Sequence, residues 1–155
     1  MSRAFVKEND DAGELLPELV VSPHPNFVTP TGLALIEQRV ATLEAEQRAA
    51  RGGNDKPVLA RINRDLRYWV QRRASARLVP VAGAPIEVAR FGSAVLLRFA
   101  DGSERTFRIV GEDEADPAHG RVSWAAPLGR ALTGKTTSDE VEVLGRMAEI
   151  VALLP

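Results

Sequence analysis

The chain has 155 residues, enough for one ordinary domain or two small ones. Twenty Lys and Arg stand against 21 Asp and Glu, with 45% hydrophobic and 26% charged residues, which excludes a disordered polyelectrolyte, a uniformly basic nucleic-acid binder and a collagen-like chain. Cysteine is absent, which excludes disulfides, thiol chemistry and Cys-ligated metal.

The net charge of −1 conceals a segregation. Residues 1–28 carry two basic and five acidic side chains, a net of −3, and residues 29–51 balance. Asp55 stands alone, and residues 56–79 then carry seven basic side chains against Asp65, a net of +6. Residues 80–155 return to −3, with eight basic and eleven acidic side chains. A basic block between acidic ones speaks to partners rather than to fold.

Residues 1–28 read as a tail, acidic and broken by Pro17, Pro23 and Pro25. The run Ser22-Pro23-His24-Pro25-Asn26 should be extended, because residues before proline avoid the helical region. The tail is unlike a secretory signal peptide, and no apolar run reaches the ~18 residues of a membrane span. A cytoplasmic protein with no membrane partner is expected.

Residues 29–79 read as an antiparallel helical hairpin. Thr29 is a good N-cap and Pro30 suits the first helical position. Leu33, Ile36, Val40 and Leu43 follow at heptad-like spacing, and the helix should fade near Ala50. Gly52-Gly53-Asn54 breaks it, and Asn54 or Asp55 can cap a second helix with Pro57 in its first turn. Leu59, Ile62, Leu66 and Trp69 make the second seam, widened by Val70 and Ala74, with an end expected near Leu78. Two arms of about 20 residues make a coiled coil roughly 30 Å long.

Residues 80–155 read as a small antiparallel β-sheet domain with one short helix, so the fold class is α+β. Residues 81–85 form a linker. Strands are predicted over 94–99, 106–110, 122–124, 140–143 and 150–154, with a hairpin turn at Asp101-Gly102. Pro127 should open a short helix over 128–132, and residues 112–120 form an acidic loop.

Little here points to a self-contained enzyme. His24 and His119 sit in polar loops without convergent partners, and no phosphate-binding loop or nucleophile elbow is present. Arg61, Arg64, Arg72 and Arg73 can leave the seam of the second helix and contact phosphates, or simply solvate it. Glu112, Asp113, Glu114 and Asp116 form either a solvated loop or a site for a cation or basic partner.

Several segments resemble one family. Thr29-Pro30-Thr31-Gly32 opening a hairpin is similar to the start of the bacterial GreA/GreB transcription elongation factors. So is the run from Ile109-Val110-Gly111 through Glu112-Asp113-Glu114-Ala115-Asp116-Pro117. Pro127-Leu128-Gly129-Arg130-Ala131-Leu132 and Asp139-Glu140-Val141-Glu142-Val143 follow in family order, and residues 1–8 resemble GreB-like members. The resemblance implies a coiled coil joined to a C-terminal domain similar to FKBP-type prolyl isomerases. It implies docking at the rim of the secondary channel of bacterial RNA polymerase, with the coiled coil inserted. Glu112, Asp113, Glu114, Asp116, Ser123, Trp124 and Pro127 are the implied docking residues, and Arg61, Arg64, Arg72 and Arg73 would face the channel. Transcript RNA or DNA would be met only inside that complex, and the factor itself is expected to be a monomer.

In such factors acidic residues at the tip help hold the polymerase's catalytic magnesium during transcript cleavage. This chain departs there: its turn, Gly52-Gly53-Asn54-Asp55-Lys56-Pro57, offers Asp55 alone as a candidate catalytic carboxylate. The arms also look about ten residues shorter, roughly 15 Å of reach. The expected function is therefore a secondary-channel factor that modulates transcription with weak or no cleavage stimulation, non-enzymatic and without an intrinsic cofactor or metal. Polymerase-bound Mg2+ would matter only if the tip were cleavage-competent. The alternatives are an active cleavage cofactor using Asp55, and a coiled-coil adaptor whose sheet domain binds another protein.

Overall fold

A computed structural model describes residues 16–81 and 83–155. The segment resembling GreB-like members, residues 1–8, and most of the acidic tail lie outside the described residues.

The hairpin forms where the seams place it. The first helix, α1, spans Pro30–Ala50, and the second, α2, spans Lys56–Ser75. Thr29 caps α1 by accepting a hydrogen bond from the Gly32 amide at 2.9 Å, which satisfies one orphan donor of the first turn. Asp55 caps α2 through Oδ1, accepting from the Val58 amide at 3.1 Å. Ile36, Val40 and Leu43 are buried along α1 and Ile62 along α2, and the two helices pack on each other. Toward the tip the seam turns polar, and Gln47 donates to Asn63 at 2.7 Å. α2 stops at Ser75, three residues before the predicted end at Leu78, because Arg77–Leu78 is a strand.

That strand, β2, pairs in parallel with β1, Phe27–Val28. The last two residues of the expected tail, Phe27 and Val28, therefore lie in a paired element. Residues 26–28 hold the two ends of the hairpin together, which an extended tail would not do.

The sheet module has five strands: β3 (Ala94–Phe99), β4 (Glu104–Val110), β5 (Arg121–Ser123), β6 (Glu140–Val143) and β7 (Arg146–Leu154). Their order is β5-β4-β3-β7-β6. All neighbours are antiparallel except the edge strand β5, which runs parallel to β4. β7 begins four residues before the predicted start at Ile150 and carries a register shift opposite Leu96 and Leu97. A short helix, α3 (Pro127–Leu132), packs on the inner face, where Val95, Leu97, Ile109, Val122, Leu132 and Ile150 form the core. The period-2 patterns direct Val95 and Leu97 of β3, and Val141 and Val143 of β6, into this core.

Candidate functional site

Two regions carry the residues the sequence singles out: the hairpin tip, and the junction of the hairpin base with the loop after β4.

At the tip, Asp55 is exposed, and one of its carboxylate oxygens is engaged by the α2 amide it caps. It is the only acidic residue between Arg51 and Ala60. On α2, Arg64 is bound to Asp65 through Nε at 2.9 Å and Nη2 at 2.8 Å. Arg61 reaches the same carboxylate at 3.8 Å and stays largely exposed. Arg73 is exposed in the last turn, where a cation complements the helix dipole. Arg67 pairs with Glu18 of the N-terminal segment and holds that carboxylate below its ordinary pKa, chiefly by direct hydrogen bonding.

Arg72 departs from the expectation of a channel-facing arginine. Only 1% of it is exposed. Its Nε donates to Asp113 Oδ2 at 2.6 Å and its Nη2 to Asn26 Oδ1 at 2.8 Å. Glu112 Oε2 lies 3.7 Å from the same Nη2. The cause is geometric. The heptad seam of α2 faces α1, but at its base a second face, with Tyr68 and Arg72 at i and i+4, faces the loop after β4.

The acidic run likewise departs from a solvated docking loop. Asp113 Oδ1 accepts from the Tyr68 hydroxyl at 2.9 Å while Oδ2 holds Arg72. Glu114, 6% exposed, accepts from Thr29 Oγ1 at 2.5 Å. Glu112 Oε1 accepts from Ser22 Oγ at 2.9 Å and lies 3.4 Å from His24 Nδ1. Three consecutive carboxylates thus all engage side chains of the N-terminal half. Asp116 differs: it holds His119 Nδ1 at 2.6 Å and remains partly open. The hydrogen bond to His119, reinforced by the charges of His119 and Arg121, keeps its pKa below the ordinary value. Among the described residues no three His, Asp or Glu side chains converge as a metal site.

Two glycines make the junction possible. A side chain at Gly111 would stand inside contact distance of the Phe27 carbonyl oxygen, and a Cβ at Gly32 would lie 2.7 Å from Glu114 Oε2. Both belong to the segments that carry the family resemblance.

Of the remaining expected docking residues, Pro127 is exposed at the start of α3 and Ser123 ends β5. Trp124 is half-buried, with Phe27 and His24 stacked edge-on at ring centroids of 5.3 and 5.8 Å. Sequence reasoning missed Asn26 and Tyr68. Asn26 bridges the junction twice, donating to the Arg72 carbonyl at 2.8 Å as well as accepting from its guanidinium. The i, i+4 spacing of Tyr68 and Arg72, off the heptad seam, was the available signal.

Residues 84–152 match the family model "Transcription elongation factor, GreA/GreB, C-term". Over 135 residues the chain is 30% identical to transcription elongation factor GreB of Neisseria meningitidis serogroup A, spanning 75% of this chain and 83% of that protein. Over 81 residues it is 41% identical to transcription elongation factor GreA of Chloroflexus aggregans, spanning 52% of this chain and 50% of that one. A solved GreA/GreB factor from Nitrosomonas europaea aligns over 84% of this chain and 99% of that chain, with 21% identity and a TM-score of 0.43. Fold and matched residues together define an α+β factor, a helical hairpin mounted on a small sheet module. The chain belongs to the GreA/GreB family of transcription elongation factors.

Proposed function

We propose that this protein binds bacterial RNA polymerase at its secondary channel, docks through the sheet module, inserts the hairpin, and modulates elongation with weak or no stimulation of transcript cleavage. It acts as an accessory factor and is not itself an enzyme. The observation that carries the reading is the state of Asp55. A ligand to Mg2+ must bring a carboxylate oxygen to about 2.0–2.1 Å from the ion. The lone tip carboxylate here has one oxygen taken by the Val58 amide at 3.1 Å and no second acidic residue beside it with which to share a metal ion. The short arms, 21 and 20 residues, further limit reach.

The docking surface on this reading comprises Asp116, Ser123, the Trp124 edge and Pro127, which flank β5 at the edge of the sheet. Glu112, Asp113 and Glu114 drop out of it, because their carboxylates are taken up inside the chain. Arg61, Arg64 and Arg73 face the channel and meet nucleic-acid phosphates or acidic polymerase loops; Arg72 does not.

The test is transcript cleavage by backtracked polymerase complexes, with wild type against Asp55→Ser. The expected result is bound factor and no shortening of the transcript by either. Shortening by wild type that Asp55→Ser abolishes would establish an active cleavage cofactor instead. Failure to co-purify with core polymerase would leave an adaptor for some other protein.

A further inference from the structure

We propose that Asp113 is a positioning residue: by holding Arg72 and Tyr68 it sets the angle of the hairpin on the sheet module, and so where the tip arrives. The inference rests on the reading above only for its consequence in transcription; the angle itself is a property of the free protein.

Asp113 and Arg72 lie on the two different parts of the molecule, and their side chains are only 9% and 2% exposed. Each oxygen of Asp113 meets a different side chain of α2, one turn apart, so the carboxylate resists both sliding and rotation of that helix. Asn26 closes the far side by holding the Arg72 guanidinium and its backbone carbonyl together. Glu114 grips the first residue before α1 through Thr29. Both arms are therefore fixed at their bases by adjacent residues of one loop. A hairpin amplifies any slack there: a tilt of about 10° on an arm about 30 Å long moves the tip by about 5 Å.

Neutralising Asp113 leaves the Arg72 guanidinium buried beside Glu112, whose Oε2 is 3.7 Å away and makes no hydrogen bond among the described residues. A buried cation that loses its nearest anion, and keeps only the neutral Asn26 oxygen at 2.8 Å, moves toward water. Because Arg72 sits on α2, that movement carries the helix base with it.

The absence of native cysteine allows clean spin labelling at Arg51→Cys, beside the tip, and Thr137→Cys, on the sheet module. Electron–electron dipolar spectroscopy on the full chain should give one narrow distance distribution. Asp113→Asn should shift or broaden it, Tyr68→Phe should broaden it less, and Asp113→Glu should restore much of the narrow peak. A second label pair across the two arms should stay unchanged, which separates tilting from unfolding. If Asp113→Asn folds and leaves the tip-to-sheet distribution unaltered, the proposal is overturned; if it fails to fold, an unaltered distribution in Tyr68→Phe overturns it equally. On core polymerase, Asp113→Asn should still bind but lose the wild-type effect on elongation. Wild-type protein that does not bind polymerase refutes the functional reading, while the distance measurement still decides this one.

Discussion

The Arg72 guanidinium meets the Asp113 carboxylate at 2.6 Å, both side chains withdrawn from water, at the junction of the hairpin with the sheet module. Truncating Arg72 leaves the Asp113 charge buried with a neutral hydroxyl, that of Tyr68, as its remaining side-chain partner. Arg72→Ala should therefore cost about 3–5 kcal/mol of unfolding free energy. Arg73→Ala, one residue on and exposed, should cost less than about 0.5 kcal/mol. Urea unfolding of the two variants checks this; equal midpoints would show that the junction contributes no more than the helix surface does.

The two motif glycines should respond differently to a methyl group. At Gly111 the obstacle is the Phe27 carbonyl, backbone held by the β1–β2 pairing, so Gly111→Ala should destabilise by about 1–3 kcal/mol, the usual range for overpacking. At Gly32 the obstacle is the end of the Glu114 side chain, which can swing away. The lost Thr29–Glu114 hydrogen bond is then offset by about 1 kcal/mol of helix propensity, leaving Gly32→Ala within about 1 kcal/mol of wild type. Thermal unfolding of the pair distinguishes the cases.

Sequence patterning reached those parts of the fold governed by a single neighbour. The seams of α1 and α2 answer to each other, so heptad spacing located them, with Thr29 and Asp55 as caps. The strands β3 and β6 answer to one core, so alternation located them. The junction answers to two neighbours at once, and periodicity sees only one. Arg72 reads as a surface residue because nothing within α2 indicates that a loop some forty residues later covers it. Asn26 and Phe27 read as tail for the same reason, since the parallel β1–β2 pair joins residues 50 positions apart. The charge segregation was legible, but its meaning changes. Part of the basic arm and part of the acidic module neutralise each other inside the molecule rather than facing partners.

Asp55 brings both a hydrogen-bond acceptor and a charge to the start of α2, and substitution can part them. Asp55→Ala removes the cap and should cost about 1 kcal/mol. Asp55→Ser keeps an oxygen for the Val58 amide and should stay within a few tenths of a kcal/mol of wild type while removing the charge. Chemical denaturation of the two variants tests the cap. A serine variant as unstable as the alanine one would show that charge against the α2 dipole, and not the hydrogen bond, is what Asp55 contributes.

Tyr68 is the only tyrosine in the chain, so its titration reads the junction directly. Its pKa is pushed up from 10.0 to about 12, first by burial and then by its hydrogen bond to Asp113 and the charge of that carboxylate. The fold thus favours the neutral phenol. The stability this group contributes is complete below its unfolded value near 10.0 and is lost as pH rises through about 12. Tyrosinate absorbance of the native protein should accordingly rise with a midpoint near 12. In Asp113→Asn the midpoint should fall without returning to 10.0, because burial, the larger cause, persists. Tyr68→Phe should flatten the alkaline decline in stability over that interval. A wild-type midpoint at the unperturbed value would mean that the phenol is open to water, and a phenol open to water cannot be the second contact by which Asp113 holds α2.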